Sequence, residues 1–247
     1  MASNAGLQGK NILITGATDG IGLLLARAYA KRGHNVLATG RRGIANDQEF
    51  FKFSNITYVT ADQSDPRHAA KSILSIMHDM QWQQLDLVIL NGATAWVGPP
   101  EEEPINSISE QIDVNLEAPI HLLLRVAPML FEAKGKVMFV GSTSVAKPNG
   151  NFATYAATKA ALDGLCRSLR EEWKGRADVM IVHPGPTRTR MHAKAGMKNG
   201  FVRLFFMSPK KVARAIQVAV RRNEGRRMIG RITLFLARFS WAGKGQL

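Results

Sequence analysis

"NILITGATDGIG", Asn11 to Gly22, runs from a short apolar segment into a glycine-rich turn and on into a helical pattern. The apolar half lacks the alternation of a strand wetted on one face, so it suits a strand buried on both faces of a parallel sheet. Gly16, Gly20 and Gly22 follow with GxxxGxG spacing. Glycines here permit a tight turn and close backbone approach. The helix opening behind them offers free N–H groups and its positive dipole end to a pyrophosphate. Thr18, Asp19 and Ile21 complete the candidate cradle. An ordinary glycine-rich βα turn would look similar, but placement directly after the first strand favours the nucleotide.

The strand pattern recurs in "NVLAT" (Asn35 to Thr39), "ITYVT" (Ile56 to Thr60), "LDLVIL" (Leu85 to Leu90), "KVMFV" (Lys136 to Val140) and "DVMIV" (Asp178 to Val182). Segments of helical period lie between, such as "IGLLLARAYAKRG", with Gly33 as its closing residue. With no internal repeat or low-complexity linker, this alternation predicts an α/β fold. It is a doubly wound, Rossmann-type parallel sheet in three α/β/α layers and a single domain. Residues 1–190 are read as the dinucleotide-binding and catalytic core, and 191–247 as a substrate lid and basic extension of the same domain. "SPKKVARAIQVAVRRNEG" reads as the penultimate helix and "RRMIGR" as a short last strand.

With 247 residues, 45% of them hydrophobic, the chain can bury one sizeable core. Its single cysteine, Cys166, cannot form an internal disulfide and points to a reducing compartment. "MASNAGLQGK" lacks a secretory h-region, and no uninterrupted apolar run approaches the roughly 18 residues a membrane span requires. A cytoplasmic protein is expected. The net charge of +14 is one-sided, because from Arg188 onward only Glu224 opposes the lysines and arginines.

The end of the second strand reads "ATGRR". An NAD site usually has an acidic residue there for the ribose 2′-hydroxyl; here Gly40 takes that place and Arg41 and Arg42 follow. Guanidinium groups suit a 2′-phosphate, so NADP(H) is the expected cofactor. In "GNFATYAATKAAL", Tyr155 and Lys159 are four residues apart and share a helix face. A phenol titrating near ~10 exchanges protons poorly at neutral pH, and an ammonium beside it stabilises the phenolate. Ser142, in "FVGSTSV" at a strand's carboxyl end, can hydrogen-bond a substrate oxygen.

TGxxxGIG, "LNGA" (Leu90 to Ala93), "VN" (Val114, Asn115), Ser142, YxxxK and "HPG" together resemble the short-chain dehydrogenase/reductase family from about residue 8 to 190. The resemblance implies hydride transfer between a nicotinamide and a carbonyl or alcohol carbon. Tyr155 would be its acid/base, and Lys159 would bind the nicotinamide ribose and depress the tyrosine pKa. Ser142 would hold the substrate oxygen, its spacing to Tyr155 preferred over that of Ser144. Asn115 would organise a water-linked proton path to Lys159. Asp62 and Gln63 match the step that contacts adenine. Asn91, Gly92 and Ala93 match the family's NNAG stretch, with Gly92 for the second Asn and Thr94 for the final Gly. Pro184 and Gly185 belong to the "HPG" turn; Thr187 would present its backbone to the carboxamide, and Thr189 would hydrogen-bond the cofactor.

Six histidines without HxxxH or cysteine-paired spacing give no metal site. Cys166 reads as a packing residue, and Glu101 to Glu103 as a solvated loop. Met191 to Met207, studded with methionine and phenylalanine, lies where the family carries its lid. With Trp96 and Phe152 it suits a lipophilic substrate, although plain packing on the body would use the same residues. The C-terminus departs from the family: "ITLFLARFSWAGKGQL" lacks the "DGG"-type segment that helps form a tetramer, so a homodimer through the Tyr155 helix is expected. That tail either lies on an anionic membrane surface or docks on the body with a solvated basic face. The leading reading is an NADP(H)-dependent reductase of ketones or aldehydes, or the reverse alcohol oxidation. A reductase of carrier-bound 3-oxoacyl groups is its rival. A non-catalytic dinucleotide sensor or nucleic-acid binder ranks below both, since such a protein need not keep Ser142, Tyr155 and Lys159.

Overall fold

Seven short strands set the frame: β1 (Asn11–Ile14), β2 (Asn35–Gly40), β3 (Ile56–Thr60), β4 (Leu87–Leu90), β5 (Lys136–Val140), β6 (Asp178–Pro184) and β7 (Arg226–Ile229). The computed structural model describes residues 9–43, 52–146, 150–188 and 206–230. All seven strands pair in parallel, in the order β3-β2-β1-β4-β5-β6-β7. Ile14 stands in register with Ala38 on one side and Ile89 on the other. The order therefore reverses at β1, and the crevice beyond β1 and β4 is where such a sheet takes its ligand.

The near-continuous apolar strands are explained by two cores, one on each face. Leu13, Leu37, Val88, Val137 and Phe139 face α2 (Pro66–Asp79), α4 (Ala118–Glu132) and α5 (Ala153–Glu172). Ile12, Ile14, Val36, Ile89 and Met138 face α1 (Gly20–Ala30) and α6 (Pro209–Arg222). The remaining helix, α3 (Ile105–Ile112), leads into α4 through a π turn at Asp113–Glu117. Local sequence sets the helix starts. Asp65 caps α2 and Ser208 caps α6, each followed by proline, which is suited to the first helical position. The continuous helical stretch Ile105–Glu132 is long and apolar enough to cross a membrane by composition, yet half of it is buried, with Leu122, Leu123, Val126 and Leu130 in the core.

Cys166 is a buried core residue of α5. Thr189, residues 191–205 of the expected lid and the tail from 231 to 247 lie outside the described residues.

Candidate active site

The floor of the crevice is a backbone-to-backbone contact. Gly16, at φ +62, approaches Gly92 so closely that a Cβ on it would fall 2.6 Å from the Gly92 Cα. The Thr15 hydroxyl accepts from the amides of Asn91 and Gly92, both at 3.1 Å. The Asn91 side chain donates back to the carbonyls of Thr15 and Gly16. Asn91 thus uses its amide group to stitch the glycine turn onto β4. The end of the Gln63 side chain occupies the space beside Gly92, where a Cβ would meet its amide oxygen. The Asp19 side chain makes no cap hydrogen bond to α1, and Gly16, Thr18, Asp19, Gly20 and Ile21 line the cavity, with Gly22 buried behind them.

At the end of β2, a Cβ on Gly40 would press on Thr18 (2.6 Å) and the Tyr58 hydroxyl (2.9 Å). No acidic side chain can stand there without displacing them. Arg41 is 3.2 Å from Glu110 and Arg42 3.3 Å from Asp19, both guanidinium groups at the cavity wall. The Tyr58 hydroxyl donates to the Arg42 carbonyl, and burial pushes its pKa up to about 12. Asp62, Gln63 and Ala93 complete this half of the lining.

In the other half, Ser142, Tyr155 and Lys159 meet. Tyr155 and Lys159 point inward from the first turns of α5, both buried. Lys159 Nζ is 5.7 Å from the centre of the Tyr155 ring and donates to the Val140 carbonyl at 3.1 Å. Burial holds the lysine down, to about 8. Burial also raises the Tyr155 hydroxyl, and a hydrogen bond with the Ser142 side chain draws it partly back. The depressed tyrosine expected from a neighbouring ammonium is therefore absent from this structure. Desolvation outweighs the help Tyr155 receives, and the ammonium faces a backbone carbonyl.

Asn115 is buried within the π turn, but its side chain is already committed. It accepts from the Thr94 amide and donates to the Thr94 carbonyl, both at 2.8 Å, and donates to Thr158. This clamps the segment after β4 to α5. Pro184, Gly185 and Thr187 lie along the same cavity. Thr187 pairs with Met207, the Arg188 amide donates to the Met207 carbonyl, and the Met207 amide donates to that of Pro186.

Glu103 corrects the expectation of a solvated loop. It is half-buried, and its carboxylate accepts from Thr154 at 2.6 Å, from Ser107 at 3.3 Å and from Gln111. The loop is thereby fastened to the start of α5, one residue before Tyr155. His183 and Asp163 form a second unforeseen contact, 2.9 Å long, between β6 and α5. Neither was findable from spacing, because the partners are 51 and 20 residues apart.

The cavity encloses about 740 Å³, within the size range of cofactor pockets. A backbone-lined helix N-terminus sits beside one half, two guanidinium groups stand at its rim, and three convergent polar side chains occupy the other half. That donor set suits a dinucleotide carrying an extra phosphate at its far end.

The profile of the short chain dehydrogenase family matches residues 10–200. The chain is 30% identical over 202 residues to "Uncharacterized oxidoreductase YciK" of Escherichia coli K12, covering 76% of this chain and 78% of the relative. It is 31% identical over 179 residues to the "NADP-dependent 3-hydroxy acid dehydrogenase YdfG" of Salmonella typhi, covering 70% and 71%. A crystal structure of a 3-ketoacyl-(acyl-carrier-protein) reductase from Brucella melitensis superimposes with a TM-score of 0.80 at 20% identity, over 90% of this chain and 96% of that one.

Proposed function

The chain belongs to the short-chain dehydrogenase/reductase family of oxidoreductases, which act on CH–OH and C=O groups, and from that premise we propose that it is an NADP(H)-dependent enzyme interconverting a lipophilic ketone or aldehyde with its alcohol. The observation that carries this reading is the meeting of Ser142, Tyr155 and Lys159 in one cavity with the glycine turn. When bound, the nicotinamide supplies or accepts the hydride. Ser142 donates a hydrogen bond to the substrate oxygen and orients the carbonyl. Tyr155 gives its hydroxyl proton to that oxygen as reduction proceeds, or takes one in the reverse direction. Lys159, while protonated, offsets the charge of the phenolate left behind. Asn115, whose side chain holds Thr94 and Thr158, would position the segment after β4 against α5 while a water-linked proton path runs from it to Lys159.

Gly16, Thr18, Asp19, Gly20, Ile21 and Gly22 would receive the pyrophosphate, Asp62 and Gln63 the adenine side, and Ala93, Pro184, Gly185 and Thr187 the nicotinamide side. Gly40 in place of an acid at the end of β2 supports NADP(H) over NAD(H), as do Arg41 and Arg42 at the rim. Trp96 and Phe152 line the cavity beside the reacting groups and support an apolar substrate. NADPH and NADH oxidation across ketones graded by chain length tests the reading; equal use of NADH, or no turnover of any carbonyl, defeats it.

A carrier-bound 3-oxoacyl substrate stands as the second reading. It is favoured by the exposed face of α6, where Lys210, Lys211, Arg214, Arg221 and Arg222 offer an acidic carrier, or an anionic membrane, a cationic surface. Free acyl carrier protein competing with turnover would support that docking. We place the protein in the cytoplasm as a homodimer paired through α5, whose exposed Ala157, Ala160 and Ala161 leave room for close helix approach. Light scattering in solution checks the assembly.

A further inference from the structure

Beside Ser142 a buried imidazole is held between two acceptors. His183 has no exposed surface; its Nε2 is 2.9 Å from Asp163 Oδ1 and its Nδ1 is 3.1 Å from the Ser142 carbonyl oxygen. A carboxylate and a carbonyl can only accept, so both contacts are hydrogen bonds only when both ring nitrogens carry hydrogen. The ring also presses on the backbone before Ser142, where a Cβ on Gly141 would fall 2.6 Å from Nδ1. Asp163 stands one helical turn beyond Lys159 and two beyond Tyr155, on the same side of α5. From β7, Arg226 Nε donates to Asp163 Oδ1 at 2.9 Å, and Arg167 of α5 lies 3.8 Å from Oδ2.

Arg226, Asp163, His183 and the Ser142 carbonyl thus form one line from β7 through α5 and β6 to the end of β5. We propose that His183 is a positioning residue: through its two ring hydrogen bonds it fixes Ser142 relative to the helix that carries Tyr155 and Lys159. This rests on the reading of those three residues as the reacting groups. When the ring holds one hydrogen, the charged Asp163 takes it in preference to the neutral carbonyl, and Ser142 loses its partner. Burial and Arg226 disfavour the imidazolium, whereas Asp163 and the Ser142 carbonyl favour it; burial dominates and the ring titrates below the ordinary histidine range. The clamp is therefore engaged on the acid side of neutrality and released as pH rises.

Asn and Gln separate the two contacts, because an Asn amide reaches where Nδ1 stands and a Gln amide where Nε2 stands. In kcat profiles for NADPH oxidation, His183→Gln should fall about tenfold below wild type in acid and converge with it in alkali. His183→Asn should match wild type in acid and lack its decline on the way to neutrality. His183→Phe, which loses both bonds, should fall on the order of 10²-fold, the scale of an ångström-sized misplacement. NADPH dissociation constants should stay unchanged throughout. Variants that all follow the wild-type profile would overturn the proposal, and Asn and Gln suffice if Phe does not fold. Should wild type turn over no carbonyl, the functional reading fails instead. The ring nitrogens then decide by NMR: a hydrogen-bonded Nδ1–H in acid, lost on titration, supports the clamp, and a bare Nδ1 in acid removes it.

Discussion

At one end of the cleft Tyr155 and Lys159 are buried, and Lys159 spends its hydrogen bond on the Val140 carbonyl. At the other end Arg41 and Arg42 keep 48% and 47% of their side-chain surface in water, each opposed by a carboxylate. Charge is costly at the first end and cheap at the second. The buried end concentrates chemistry in few groups, because desolvation magnifies every interaction there and makes each group hard to replace. At the rim each charge pair is screened by solvent and contributes little on its own.

The sharpest attempt to break this contrast removes the proton carrier. Tyr155→Phe should lower kcat by about 10³-fold with little change in the NADPH dissociation constant, within the range seen for general acid–base groups. Retained turnover would place the chemistry elsewhere.

Next in size is the lysine, whose cost to the fold can be read separately from its use. Its ionisation at about 8, against an ordinary 10.5, corresponds to on the order of 3 kcal/mol carried by the native state at neutral pH. Between those values the unfolded chain binds more protons than the folded one, so stability should rise with pH there. Lys159→Met should lower kcat about 10²-fold while raising Tm by several degrees, as thermal unfolding will show. Reduction by wild type should decline above about pH 8 as the ammonium is lost.

The rim should respond more gently. Arg42→Ala is expected to raise the KM for NADPH about five- to tenfold and leave that for NADH unchanged, an effect shrinking with added salt. A loss as large as that at Tyr155 would erase the distinction between the ends. The smallest effect belongs to Asp19, which holds the Arg42 guanidinium that a 2′-phosphate would need. Asp19→Asn should tighten NADPH binding about two- to threefold in a fluorescence titration.

The parts of the molecule legible in the sequence are those governed by local pattern. Strands buried on both faces read as apolar runs, "SPKKVARAIQ" opens a helix, and the short β7 stands where "RRMIGR" suggests it. The cavity lining was legible too, since a parallel sheet brings the ends of its strands together. What stayed hidden depends on pairing between distant residues. Glu103 looked like solvent-facing charge until α5 arrived to donate Thr154. The side-chain hydrogen bonds by which Asn91 holds the glycine turn and Asn115 holds Thr94 were equally hidden. The tyrosine's raised pKa was hidden for a related reason: spacing shows which groups are adjacent, but burial, which decides the sign, belongs to the whole fold.

Past the end of β6, Thr187 and Met207 pair in an isolated bridge outside the seven strands, secured by the Arg188 and Met207 amides. Two points of a chain joined outside a sheet leave the strands indifferent to the length between them: by loop-closure entropy, doubling a flexible connection costs only about 0.6 kcal/mol.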